Sequence, residues 1–177
     1  MPFDSVVLYD SPEDRALLKA ASDLEALYYC RLNRVRETME FARRLGFKKL
    51  GLAFCAGFQD EAALLAEVLE KEFELHSACC KVAGVPKSTF DVELRDWVGP
   101  TSCNPIEQAR ILCEAGCELN IVMGLCVGHD SLFYKHSTVP VTTLIVKDRV
   151  LGHNPVSALY CPYIRAELNK PPEERLK

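Results

Sequence analysis

From position 12 onward the apolar residues fall three and four apart, first Leu17, Leu18, Ala21, Leu24, Leu27 and Tyr28, then Leu32, Val35, Met39, Ala42 and Leu45. That spacing gathers them on one face of a helix. Ser11-Pro12-Glu13-Asp14 opens the pattern as an N-cap, a proline at the first helical position and acids beside the positive end of the dipole. Gly46 closes it as a C′ residue, and a break near Asn33 divides the stretch into two helices.

Past Gly46 the period changes. Leu50-Gly51-Leu52-Ala53-Phe54 is apolar on successive residues, as a strand covered on both faces requires, and it ends at Cys55. A helix capped by Asp60 and carrying Ala63, Leu64, Val68, Leu69 and Phe73 is expected next, followed by a strand from Leu75 to Val82 that contains Cys79-Cys80. Pro86, Gly99 and Pro100 interrupt the stretch from Gly84 to Thr101, which reads as a long connection or lid. Asn104-Pro105-Ile106-Glu107 then signals a helix start with an Asn version of the capping box, and Gly116 ends that helix. A strand over Asn120–Leu125 ending at Cys126, a short helix from Asp130 to His136, a strand from Val141 to Val146 and a short helix opening at Asn154-Pro155 complete the series.

Strands alternating with helices predict an α/β domain with right-handed crossovers. The expected architecture is a Rossmann-like or flavodoxin-like parallel sheet of at least four strands with helices on both faces and an N-terminal helical extension. One domain spans 1–177, divided into N-terminal helices at 1–46, a sheet core at 47–165 and a polar tail at 166–177.

Composition narrows the function classes. With 177 residues, 49% of them hydrophobic and 26% charged, the chain has the make-up of a single globular domain. The net charge of −4 gives no electrostatic attraction to a phosphate backbone, so no nucleic-acid partner is expected. The longest uncharged apolar stretch, Leu119–Gly128, is half the length of a membrane-spanning helix, so no membrane partner is expected either. Asp4, Asp10, Glu13 and Asp14 stand where a secretory signal would need basic and then apolar residues, which predicts a cytoplasmic protein.

Nine cysteines are an odd number, and in a reducing compartment they read as thiols, metal ligands or nucleophiles rather than as a disulfide framework. Ligands of open α/β sheets bind outside the carboxyl ends of the strands. Cys55, either Cys79 or Cys80, and Cys126 fall at three such ends, and Cys103 stands just ahead of the Asn104 cap. Cys30, Cys113, Cys117 and Cys161 lie in or beside helices and read as small packing residues. Cys103-Asn104-Pro105 and His153-Asn154-Pro155 share one pattern, a ligand-type side chain ahead of an Asn cap. A helix start of that kind binds anions and stabilises a thiolate. In Gly124-Leu125-Cys126-Val127-Gly128-His129-Asp130, two glycines permit close backbone approach, while Cys, His and Asp can act as nucleophile, ligand or orienting group. No CxxC, GxGxxG or Walker A sequence occurs.

Cys79-Cys80-Lys81-Val82, Cys103-Asn104-Pro105-Ile106, the Gly124–Asp130 segment, Val146-Lys147-Asp148-Arg149 and His153-Asn154-Pro155 together resemble a family of uncharacterised bacterial and archaeal proteins, a domain of unknown function labelled metal-binding. The resemblance is clearest from about Cys55 to Tyr160. Members often carry a Cys-rich segment ahead of the first helix, and this sequence opens Met1-Pro2-Phe3-Asp4 without one.

Three functions are open at this level. The first is an iron–sulfur or zinc protein with Cys55, Cys80, Cys103 and Cys126 as thiolate ligands and His129 or His153 as replacements, suited to redox or sulfur chemistry. The second is a hydrolase or transferase with Cys126 or Cys103 as nucleophile and His129 or His153 as base. The third is an anion or small-ligand module in which Asn104, Asn154, Gly128 and Asp130 line the pocket. The partner is a small molecule or metal in each case, and the N-terminal helices could cover the sheet or pair with another subunit.

Overall fold

A computed structural model describes residues 5–95 and 97–174. Four strands, β1 (Lys49–Phe54), β2 (Glu74–Cys79), β3 (Leu119–Met123) and β4 (Val141–Ile145), form one sheet in the order β2-β1-β3-β4. Every pairing is parallel. The expected parallel α/β sheet is therefore observed, in the order that begins flavodoxin-like sheets. All five positions of β3 and the middle four of β1 are buried, which explains their continuous apolar sequences.

The helices are α1 (Pro12–Tyr28), α2 (Arg34–Arg44), α3 (Gln59–Leu69), α4 (Pro105–Glu114), α5 (His129–His136), α6 (Ser157–Tyr160) and α7 (Pro162–Leu168). Two begin at the expected caps, Ser11 and Asn104, and the expected break near Asn33 is a third cap. Ser11, Asn33 and Asn104 each accept from the backbone N–H three residues on, Asp14, Arg36 and Glu107 respectively. The chain leaves β1 toward β2 and then returns across β1 to β3. Right-handed crossovers consequently put α3 on one face of the sheet and α4 with α5 on the other, where α4 and α5 pack together. Among the described residues no helix is long and apolar enough to cross a membrane.

Four expectations are corrected. The buried face of α3 is Ala62, Leu65 and Leu69, whereas Leu64 is 63% exposed. Asp60 lies in its first turn rather than capping it, because a 3-10 turn over Ala56–Phe58 runs directly into the helix. β2 stops at Cys79 instead of reaching Val82, since the chain turns there through Ala83 at φ 65°. Asn154-Pro155 does not open a helix. Asn154 sits in a turn, its carbonyl accepting from the Ser157 N–H, and α6 starts at Ser157 without a side-chain cap. Residues 175–177 of the expected polar tail lie outside the described residues.

Gly124 directly follows β3 at φ 63° and has the Phe58 ring where a side chain would go, so that a Cβ there would come within 2.1 Å of it. Beneath the sheet's carboxyl edge, the fully buried Gln108 of α4 donates from Nε2 to the carbonyls of Phe54 at 3.2 Å and Ala78 at 2.7 Å. One amide thereby ties the ends of β1 and β2 to the helix that follows Cys103.

Candidate functional site

The strand order reverses between β1 and β3, the place outside the carboxyl ends of the strands where open α/β sheets bind their ligands. Cys55 directly follows β1, and its N–H donates to the Met123 carbonyl of β3. Cys80 directly follows β2 and continues the ladder, its N–H donating to the Phe54 carbonyl at 2.8 Å. Its own carbonyl accepts from the Asn104 N–H, also at 2.8 Å, so the segment bearing Cys103 is fastened to the end of β2. The sulfurs of Cys80 and Cys103 are hydrogen-bonded at 3.8 Å. Cys80 is 2% exposed and Cys103 only half-buried.

Cys80 is the centre of the group. Its sulfur accepts from the Ala56 N–H at 3.3 Å and lies between Cys55 and Cys103. Hydrogen bonds to both neighbours, reinforced by burial, raise its pKa far above that of an ordinary thiol, so it stays protonated. The flanking thiols respond in the opposite sense. Cys103 is lowered to about 3, first by its bond to Cys80 and then by the imidazole of His129, with the Lys81 charge adding to both. The partner effect raises the pKa of His129. The two shifts favour a thiolate at Cys103 and an imidazolium at His129, with His129 at the first position of α5 and Cys103 just before the cap of α4. Cys55 is lowered to about 5, first by Cys80 and then by the Lys147 ammonium, whose Nζ is 2.5 Å from the sulfur.

Cys126 stands apart from that chain of contacts. Its sulfur accepts from Arg149 at 3.2 Å, and Arg149 also feels the charges of Cys55 and Cys103. Among the described residues no three Cys, His, Asp or Glu side chains are grouped so as to hold a metal ion. Fixed cations already stand against Cys55 and Cys126.

The remaining candidates are structural in their contacts. Asp130 Oδ1 accepts from the Gly128 and Ser131 N–H groups and so secures the start of α5, while Gly128 precedes it at φ 86°. Asn104 caps α4. His153 takes φ 65°, packs its ring 4.5 Å from Phe58, and accepts at Nδ1 from the Asp148 N–H at 3.1 Å. Phe58 in turn lies beneath the Lys147 ammonium, so His153 and Phe58 brace the lysine that meets Cys55. Of the four packing candidates only Cys117 is buried, which raises its pKa to about 11. Cys30 and Cys113 are exposed.

Lys147, Arg149, Gln108 and Phe58 are parts of the site that the sequence reading left without a role. Lys147 and Arg149 follow the end of β4, so the rule that singled out the cysteines, applied to cationic residues, finds them too.

Residues 3–144 match the family described as "Protein of unknown function (DUF1847)", and the chain belongs to that family. It is also similar to uncharacterized protein MJ0455 of Methanocaldococcus jannaschii, with 45% identity over 161 residues, covering 90% of this chain and 83% of the relative.

Proposed function

We propose that this protein is a cysteine-dependent enzyme in which the Cys103 thiolate, paired with the His129 imidazolium, attacks an electrophilic carbon or sulfur atom of a small molecule. The observation that carries the reading is the environment of Cys103. A half-buried thiol has its pKa lowered by the His129 imidazole and lies 3.8 Å from the sulfur of a protonated thiol, ahead of a capped helix start. Each feature favours the ionised, nucleophilic form. His129 balances the negative charge while the thiolate is free and can give its proton to the departing group. Lys81, Lys147 and Arg149 make the approach electropositive, which suits an anionic or polarised reactant.

A thiolate-held zinc or iron–sulfur centre would draw on the same side chains. The cations weigh against it: a metal on the Cys55 sulfur would share that sulfur with the Lys147 ammonium at 2.5 Å. Like charges so placed repel strongly at a buried sulfur.

The test is brief alkylation of the anaerobically purified, reduced protein with limiting iodoacetamide near neutral pH, followed by peptide mapping and by elemental analysis of the untreated sample. Cys103 is expected to be modified first, ahead of the more exposed Cys30 and Cys113. Stoichiometric zinc or iron in the untreated protein, with Cys103 unreactive until it is removed, would overturn the proposal in favour of the metal centre.

A further inference from the structure

Resting on that reading of Cys103, we infer that the substrate is a small disulfide and that Cys80 is the resolving thiol, so that the site performs dithiol–disulfide exchange. The inference stands on the placement of two sulfurs with unequal access. Cys103 is half-buried and can meet a molecule from solvent, whereas Cys80 is 2% exposed and cannot. The sulfurs are nonetheless 3.8 Å apart, so whatever becomes attached to Cys103 places its new bond beside Cys80. A nucleophile reachable only through its neighbour is what a resolving step needs. It would be a liability for acyl transfer, in which water or a second substrate must reach the adduct.

The backbone holds this arrangement. The Ala56 N–H fixes the Cys80 sulfur, and the bond from the Asn104 N–H to the Cys80 carbonyl keeps the two segments together.

The chemistry balances without another reactant. The Cys103 thiolate attacks one sulfur of RS–SR, forming a mixed disulfide and releasing RS⁻. Cys80 then attacks the Cys103 sulfur of that mixed disulfide, the Cys80–Cys103 bond forms, and the second RS⁻ leaves and takes up the proton that Cys80 surrendered. The substrate disulfide is reduced by two electrons and the cysteine pair is oxidised by two. Loss of the Cys103 negative charge in the first step removes a principal cause of the raised Cys80 pKa, so ionisation of Cys80 follows attachment of the substrate.

The experiment treats the reduced 177-residue chain with bis(2-hydroxyethyl) disulfide and maps its non-reduced peptides, in the wild type and in Cys80→Ala. The wild type is expected to yield a Cys80–Cys103 cross-link. Cys80→Ala should instead retain a stable mercaptoethanol adduct on Cys103 and lose the second thiol release completely. If Cys80→Ala does not fold, the wild-type cross-link decides the matter alone. A wild-type protein that stops at the Cys103 adduct, or that alkylates at Cys103 but ignores the disulfide, overturns this inference and leaves the nucleophile in place. A Cys103 inert to both reagents removes the nucleophile itself.

Discussion

The Lys147 ammonium lies 2.5 Å from the Cys55 sulfur, across 92 positions of sequence, and joins the residue after β1 to the loop after β4. Cys55 thereby gains a counter-charge independent of His129. In Lys147→Met the Cys55 pKa should rise from about 5 toward the ordinary thiol value, and alkylation of Cys55 at pH 7 should slow several-fold. Peptide-resolved alkylation rates check this. An unchanged Cys55 rate would show that Cys80 alone sets its ionisation.

The same lowered pKa gives stability a pH dependence. Cys55 is a thiolate in the folded chain down to about 5, while in the unfolded chain it protonates near 8.5. Its contribution is therefore present above the unfolded value and is lost as pH falls toward the folded one. Urea unfolding at pH 8.5 and pH 5.5 should show a larger loss for the wild type than for Cys55→Ala. Equal losses would count against a Cys55 thiolate.

Replacing Gly124 by alanine should destabilise the fold by about 2–4 kcal/mol, combining a left-handed backbone with overpacking. The added Cβ meets Phe58, which lies under Lys147 and against His153, so the Cys55 environment should be disturbed as well. Chemical denaturation reads the first effect and the Cys55 alkylation rate the second. A loss of stability without a change at Cys55 would mean that Phe58 does not brace the lysine.

Gln108→Leu removes the two bonds that hold the ends of β1 and β2 to α4 and should cost about 1–3 kcal/mol. Since Gln108 Oε1 has no partner of its own, an apolar replacement relieves one buried acceptor, and the loss should fall in the lower part of that range. Equilibrium unfolding measures it. A fully neutral substitution would show that the strand ends do not need the tie.

Much of this architecture could be read in the chain because its signals are local. The caps at Ser11, Asn33 and Asn104 act on N–H groups three residues away, and the apolar stretches of β1 and β3 report burial directly. Periodicity does not pick out the buried face of α3 because its apolar residues outnumber its buried ones, Leu64 being exposed although it fits the pattern. The Asn154 helix failed because a cap-like dipeptide can serve a turn equally well. Within the site, the strand-end rule finds the cysteines, but which sulfur meets which partner depends on side chains brought together from four separate loops. Nothing local in the sequence says that Arg149 takes Cys126 or that His129 takes Cys103.

The most direct measurement is the pH dependence of Cys103 alkylation in the folded, reduced wild type beside His129→Gln. With the thiol lowered to about 3, the wild-type rate should be nearly flat from pH 5 to pH 8, whereas an ordinary thiol slows about tenfold for each unit below its pKa. His129→Gln should restore part of that slope by removing the imidazolium. A wild-type rate that falls tenfold per unit throughout the range, unchanged by the substitution, would contradict a Cys103 thiolate held by His129.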